Sequence, residues 1–309
     1  MNGIAAYNLW WLLCHYDWYM ASGDLSYLAE QKNYLSAMLP HYLKMIDENG
    51  SETVGGFFDW PSQGHAQKSH AGRQGLFRYA LSAAAEIFTT LGDEALAREC
   101  ALGADKLLRH NPDPDGYKQA AAMLSLSHIA DPGEILEKTI LPGGAEGLST
   151  FLGYFTLLAA AEAGRTDAAL ALIREYWGRM LDMGATTFWE DFDIRWTENA
   201  HRIDELPIPG KADIHGDFGA FCYKNFRHSL CHGWASGPAP FLAKHVLGIR
   251  PFAPGMKAVR FAPDLGGLEW AKGSVPTPHG VITVELERAK DGRTLGKFDA
   301  PDGVDVIVK

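Results

Sequence analysis

Apolar residues fall at helical spacing through most of positions 1–248 and at alternate positions over 249–309, and this change of period divides the chain. Over 4–20, Ile4, Tyr7, Leu9, Trp10, Leu12, Leu13, Tyr16, Tyr19 and Met20 cover most of the helical circumference, the pattern of a helix buried on nearly all sides. His15 and Asp17 are the polar exceptions; they either satisfy neighbours in the core or line a pocket. Gly23 ends this segment, and Asp24 is placed to cap a second helix over 25–48, which Asn49-Gly50 stops. Further helices are expected over 72–91, 93–110, 117–129, 132–140, 146–163, 166–183 and 232–247, separated by short turns containing Gly, Pro or Asp. Successive helices with short turns make hairpins, and alanine runs at 83–85, 120–122 and 159–161 allow them to pack closely. A ring of hairpins would bury all these apolar faces; the spacing is too irregular for a solenoid repeat.

Two loops break this rhythm. Positions 55–62 (Gly55-Gly56-Phe57-Phe58-Asp59-Trp60-Pro61-Ser62) are too apolar for a solvent-facing linker, and 196–221 is long, glycine-rich and aromatic, the composition of an ordered functional loop. After Gly248-Ile249-Arg250-Pro251 the pattern reads as strands over 259–262, 268–271, 281–286 and 304–308, with Pro-Gly and Asp-Gly turns between them. The expectation is a mainly α chain: a helical-hairpin domain over 1–248, then a small antiparallel β domain over 249–309 that caps one end of it.

Composition narrows the partners. With 309 residues, 47% hydrophobic and 21% charged, the chain can bury one large core and a smaller one. A net charge of −10 argues against nucleic acid or an anionic membrane surface and suits neutral or cationic small molecules. Cys14, Cys100, Cys222 and Cys231 form no zinc-like spacing; Cys222 and Cys231 could pair, but reduced thiols are expected. His65 and His70 flank a polar loop without a carboxylate or cysteine at ligand spacing, so they read as solvated and no metal is expected. Neither a dinucleotide-binding glycine motif nor a P-loop is present, so no cofactor is expected. No apolar run approaches the roughly 18 residues of a membrane span. The first basic residue is Lys32, and the chain enters a helical pattern at once, which suggests the C-terminal part of something longer and leaves a cytoplasmic or periplasmic location open.

The candidate chemistry lies at 184–193, Gly184-Ala185-Thr186-Thr187-Phe188-Trp189-Glu190-Asp191-Phe192-Asp193, and at 228–234, His228-Ser229-Leu230-Cys231-His232-Gly233-Trp234. Three carboxylates among Phe188, Trp189 and Phe192 lose hydration unless something compensates. Carboxyls beside aromatic rings suit sugar processing, where rings stack on the apolar face of a sugar and carboxyls manage protons. An ordinary loop with solvated acids and core aromatics gives the same composition.

These stretches resemble the α-L-rhamnosidases of glycoside hydrolase family 78. Positions 184–190 are similar to that family's G-A-T-T-x-W-E motif, 228–237 to its H-S-L-x-H-x-A-x-G segment, and Phe58-Asp59-Trp60 to its G-D-W loop, with Phe58 in place of glycine. Gly248-Ile249-Arg250-Pro251, Pro254-Gly255 and Gly280-Val281-Ile282 fit its β domain. The resemblance implies an (α/α)6 toroid followed by a β-sandwich, and inverting hydrolysis of terminal α-L-rhamnosides of glycans or glycosides by two carboxyls about 6.5–9.5 Å apart. Carried over by motif, Glu190 is the general base and His232 bonds sugar hydroxyls, while Asp59 and Trp60 contact the sugar ring or orient the site. Trp189, Trp60 and Trp234 are candidates for an aromatic wall against the C5 methyl group, each by itself as readily a core residue. The stretch between Glu190 and His232 is longer than the family's, with inserts at Asp204-Glu205 and at 213–217. The family's general acid lies in an acidic motif ahead of the helix that here begins at Gly3, and about nine helices stand where six hairpins require twelve. The expected ring is therefore incomplete, and an internal acid would be Asp17, Glu146 or Asp217. A non-catalytic carbohydrate-binding or structural domain is the alternative from another class. A different enzyme on the same toroid is a third; for a carboxylate-bearing substrate it would use Arg195, Arg202, Lys211 or Arg227.

Overall fold

The computed structural model describes residues 4–220 and 223–308. Helices α1 (Ala5–Ser22) and α2 (Leu25–Leu43) form the first hairpin. Gly23 turns the chain with φ 71°, and Asp24 Oδ1 accepts from Tyr27 N at 2.9 Å, the cap expected there. Four helices follow, α3 (Ala66–Thr90), α4 (Glu94–Leu107), α5 (Lys118–Leu126) and α6 (Pro132–Ile135), the last running into a wide turn over Leu136–Ile140. They are succeeded by α7 (Gly153–Glu162), α8 (Thr166–Asp182) and a short α9 (Pro238–Phe241) that continues through Leu242–Val246.

Alternate helices are neighbours: α1 packs on α3, α3 on α5, α5 on α7 and α7 on α9, while α2 and α4 pack together on the outside and α8 backs α7. This is an arc of hairpins with an inner and an outer layer. The inner layer is closed by small residues. A Cβ on Gly75 of α3 would stand 2.5 Å from the Met123 carbonyl carbon of α5, so the two backbones touch and only glycine fits between them. Helix α5 is buried along its whole length, including Lys118, whose Nζ donates to the Ile140, Pro142 and Gly144 carbonyls at 2.7 Å each. Three acceptors compensate the buried ammonium and tie down the 140–144 turn.

Three boundaries differ from expectation. Helix α2 stops at Leu43 because the chain turns into a bridge between Ile46 and Glu52, where Asp47 Oδ1 accepts from Asn49 N and Ser51 N. Helix α3 begins at Ala66, before 72, because Ser69 and Gly72 pack against the loop below rather than breaking the helix; a Cβ on Gly72 would overlap the Phe58 ring. Helix α7 starts at Gly153, and 146–152 are turns instead.

Six strands make up the C-terminal region. Sheet one orders β3 (Ile249–Pro251), β4 (Ala258–Phe261) and β8 (Asp305–Val308); sheet two orders β5 (Trp270–Thr277), β6 (Gly280–Arg288) and β7 (Thr294–Asp299), numbered after two residue pairs in the long loop, β1 (Ala200–His201) and β2 (Ala212–Asp213). Ile282, Val284 and Leu286 on alternate positions of β6 are buried with Ile249, Met256, Val259 and Leu265, and Phe261 packs against Phe298 at 4.4 Å. The purely antiparallel expectation needs correcting: β8 pairs parallel to β4, with Val259 opposite Val306. The helical part meets this region at close quarters, since a Cβ on Gly23 would lie 2.9 Å from Gly255 Cα. Cys14, Cys100 and Cys231 are free thiols, and Cys222 lies outside the described residues. Among the described residues no helix is long and apolar enough to cross a membrane.

Candidate active site

Five segments converge at the N-terminal ends of the inner helices: the Phe57 to Trp60 loop before α3, Tyr117 at the start of α5, Ser149 to Phe151 before α7, the 184–193 loop after α8, and 228–235 before α9. The last two run alongside each other. Glu190 N donates to Ser229 O at 2.9 Å, His232 N donates to Phe188 O at 2.8 Å, and Thr187 Oγ1 donates to Leu230 O.

This pairing aims the Glu190 side chain. Its Oε2 accepts from Ser229 N at 2.7 Å, and its Oε1 lies 3.4 Å from His232 Nε2, with the carboxylate 13% exposed. Trp234 N donates to His232 Nδ1 at 3.3 Å, which leaves the ring proton on Nε2, facing Glu190. The Glu190 carbonyl is fixed from behind by Trp234 Nε1 at 2.8 Å and by the Thr150 hydroxyl. One oxygen is thus locked, and the other faces an imidazole on a partly open edge.

Asp59 is placed differently. It is 2% exposed, and its oxygens are all engaged: Oδ1 by Trp60 N at 2.9 Å, Oδ2 by Tyr117 Oη at 2.6 Å and Ser149 Oγ at 2.7 Å. Burial raises its carboxyl to about 6 even though the three donors favour the anion. Burial also raises Asp191 to about 6; the charge of nearby Asp59 adds to the rise, and hydrogen bonds from Phe192 N and Ala220 N oppose it. Ser149 holds Asp59 while the adjacent Thr150 holds Glu190, so one dipeptide links the two acidic loops.

Aromatic rings line this end. Trp60 Nε1 donates to Tyr223 Oη at 3.0 Å, Tyr223 meets Trp234 edge-on at 6.3 Å, Trp234 stacks on Phe151 at 5.1 Å and tilts over His232 at 4.5 Å. Trp189 is 3% exposed and packs on Phe192 within the second core cluster, the core role open to each tryptophan. Thus Glu190, His232, Trp234, Trp60 and Asp59 are gathered together, Asp59 beneath the surface.

Residues that sequence reading left out complete the arrangement: Tyr117, Ser149, Thr150, Phe151 and Tyr223. None of the five lay in a stretch singled out for its chemistry; Tyr223 falls just beyond the 196–221 loop. Of the alternative acids, Asp217 accepts from Asp213 N at 2.8 Å within its own loop, Glu146 lines an open cleft with Lys118 and Arg195, and Asp17 faces Tyr79 in the far half of α1. His70 is not solvated: it lies within α3, its Nδ1 2.7 Å from buried Glu52 and its Nε2 3.0 Å from His110 Nε2. Among the described residues no group of three or more His, Cys, Asp or Glu could hold a metal ion.

The fold is a helical-hairpin arc, of the α/α-toroid kind, joined to a β region. The family resemblance stands: residues 248–309 match the bacterial alpha-L-rhamnosidase C-terminal domain. The alpha-L-rhamnosidase of Alteromonas sp. (strain LOR) is 30% identical over 136 residues, covering 42% of this chain and 12% of that protein. The alpha-L-rhamnosidase of Streptomyces avermitilis is 23% identical over 313 residues, covering 95% of this chain and 28% of that protein. The family 78 rhamnosidase structure from Bacillus sp. GL1 superposes with a TM-score of 0.75 at 24% identity, covering 99% of this chain and 33% of that one. The chain therefore spans less than a third of the curated relatives it matches and shares the fold of the corresponding part.

Proposed function

We propose that this chain carries the general-base side of an inverting α-L-rhamnoside hydrolase, with a helical catalytic domain over 1–248 and a β domain over 249–309. The observation that carries the reading is the carboxylate of Glu190, with one oxygen held by Ser229 N and the other facing His232 Nε2 at a partly open edge. A fixed carboxylate can orient a water and take its proton as the water oxygen attacks the anomeric carbon and the glycosidic oxygen departs. His232 shares that edge and reaches a sugar hydroxyl, and Trp60 and Trp234 supply rings for the apolar face and the methyl group of rhamnose. Asp59 and Trp189, both buried, orient the loops that carry these groups. Support for the substrate class comes from the relatives' names, alpha-L-rhamnosidase, and from the aromatic rings grouped beside Glu190. The leaving oxygen takes its proton from a second carboxyl about 6.5–9.5 Å from the base.

The test is hydrolysis of an aryl α-L-rhamnoside, whose activated leaving group needs little protonation, beside calorimetric binding of L-rhamnose. Glu190→Gln is expected to lower turnover by about 10²–10⁴-fold and to keep rhamnose binding. Unchanged turnover in Glu190→Gln removes Glu190 from the mechanism. Binding without turnover in the parent chain supports a carbohydrate-binding domain instead.

A further inference from the structure

A second polar cavity lies at the opposite end of the helical arc. Helix α3 runs from Ala66, next to the Asp59 loop, to Glu86, a distance of about 30 Å at about 1.5 Å per residue. Around Glu86, the C-terminal halves of α1 and α3 and the end of α5 enclose a cavity of about 210 Å³. Its polar walls are Asp17 and Tyr16 from α1, Arg78, Tyr79 and Glu86 from α3, and His128 beyond α5, with Leu13 and Leu126 as apolar patches.

One buried donor opens there without a protein partner, and two further polar groups stand beside it. The guanidinium of Arg78 gives Nη1 to the Ser127 carbonyl but leaves Nε buried and unbonded. Asp17 is exposed at the cavity mouth, and partial desolvation raises its carboxyl above the usual range, with Lys244 opposing that rise. The Tyr79 hydroxyl, half-buried, lies near Asp17, Glu162, Tyr154 and Glu86 and can donate or accept, and burial pushes its pKa up. By contrast Tyr16 is satisfied, donating to Glu86 at 2.6 Å. His128 holds its place in the wall with φ 56°, a left-handed conformation uncommon for a non-glycine residue. Buried polar groups are nearly always bonded, so the open Arg78 Nε calls for an occupant that accepts, and the Asp17 carboxylate and Tyr79 hydroxyl on the same cavity suit one that also donates.

We propose that this cavity binds a neutral, monosaccharide-sized polyol, with Asp17 accepting from one hydroxyl, Arg78 Nε donating to another, and Tyr79 and His128 flanking the ring. Two carboxylates, Asp17 and Glu86, line the cavity beside the single cation Arg78 and thereby disfavour an anion. The phenol rings and leucines match the C–H face of a sugar. The site is separate from Glu190 and does not depend on turnover there.

The experiment follows the imidazole resonance of His128 in a ¹H–¹³C spectrum, assigned with His128→Gln, while L-rhamnose, D-glucose or myo-inositol is added to about 50 mM, enough to saturate a Kd of about 1 mM. At least one polyol should move the resonance saturably. The same titration should weaken by fivefold or more in Asp17→Asn and in Tyr79→Phe, both near-isosteric, and be unchanged in Glu190→Gln. A variant that fails to fold by circular dichroism is replaced by Ser82→Leu, which fills the cavity from α3 and should also abolish the shift. If no polyol moves His128, the cavity holds water only. If the shift survives both Asp17→Asn and Tyr79→Phe, or is lost in Glu190→Gln, the polyol binds elsewhere. Either result overturns the proposal.

Discussion

Asp59 offers the sharpest test of the site's electrostatics. It is buried, carries three hydrogen bonds and titrates at about 6, against 3.8 for a free aspartate. A carboxyl whose folded pKa lies above its unfolded value binds its proton more tightly when folded, so it stabilises the fold at low pH and loses that advantage as pH rises. At about 1.4 kcal/mol per pH unit, the penalty at neutral pH is about 3 kcal/mol, of which about 2 kcal/mol develops between pH 4.5 and 7.5. Asp59→Asn removes the charge and keeps an acceptor toward Trp60 N, while the Tyr117 and Ser149 hydroxyls can turn to accept from the new amide. Its absolute stability is the difference of two similar quantities, the desolvation relieved and the charge-assisted bonds lost, each a few kcal/mol. The pH dependence separates them. Urea unfolding of the parent and of Asp59→Asn at the two pH values should show the parent losing about 2 kcal/mol relative to the variant on going to pH 7.5. Removing the Asp59 charge should also lower the Asp191 pKa, seen directly in its carboxyl ¹³C titration. A stability difference that is the same at both pH values would refute the claim that Asp59 is held up by burial.

Two further substitutions test the packing that holds the site. Gly75→Ala and Gly178→Ala replace helical glycines in α3 and α8, but a Cβ at Gly75 meets the Met123 carbonyl carbon at 2.5 Å while one at Gly178 meets nothing within 4 Å. Thermal unfolding should show the first destabilised by about 1–3 kcal/mol and the second stabilised by up to about 1 kcal/mol; effects of the same sign would contradict the α3 to α5 contact. Tyr176→Phe removes the hydroxyl that bonds the buried Phe192 carbonyl and should cost about 1–3 kcal/mol in urea unfolding, with little loss if the 184–193 loop is held by its Ser229 pairing alone.

Local chemistry was legible where a residue acts on its own neighbours. Asp24 caps α2 as its position implies, and the alternation of Ile282, Val284 and Leu286 marks a half-buried strand. Strand β7 escaped because Thr294 to Asp299 is almost wholly exposed and carries Gly296, so no apolar alternation announces it. The parallel pairing of β8 with β4 was invisible for another reason: register between strands more than forty positions apart leaves no mark on either segment.

The same distinction explains why the acidic loops were found and their connection was not. The aromatic and acidic density of 184–193 and of 55–62 is a property of each stretch alone. Ser149 and Asp59 meet across a separation of 90 residues, and Trp60 and Tyr223 across 163. Serine, threonine and tyrosine are common enough that nothing in the stretch around 149 distinguishes it from an ordinary helix lead-in, and the Leu157 to Ala161 run that follows suits a helix extended back to 146. It is the turn over 146–152 that frees the Ser149 and Thr150 hydroxyls to reach Asp59 and the Glu190 carbonyl; in a helix those hydroxyls would face their own preceding turn. The error in the α7 boundary and the omission of Ser149 and Thr150 are therefore one event: a local periodicity was overridden by two acidic loops that needed donors. Asp59 illustrates the complement. Its motif leaves a sugar contact and an orienting role both open, while its burial and three donors, Trp60 N, Tyr117 Oη and Ser149 Oγ, tie its loop to the residue next to Thr150, which bonds the Glu190 carbonyl.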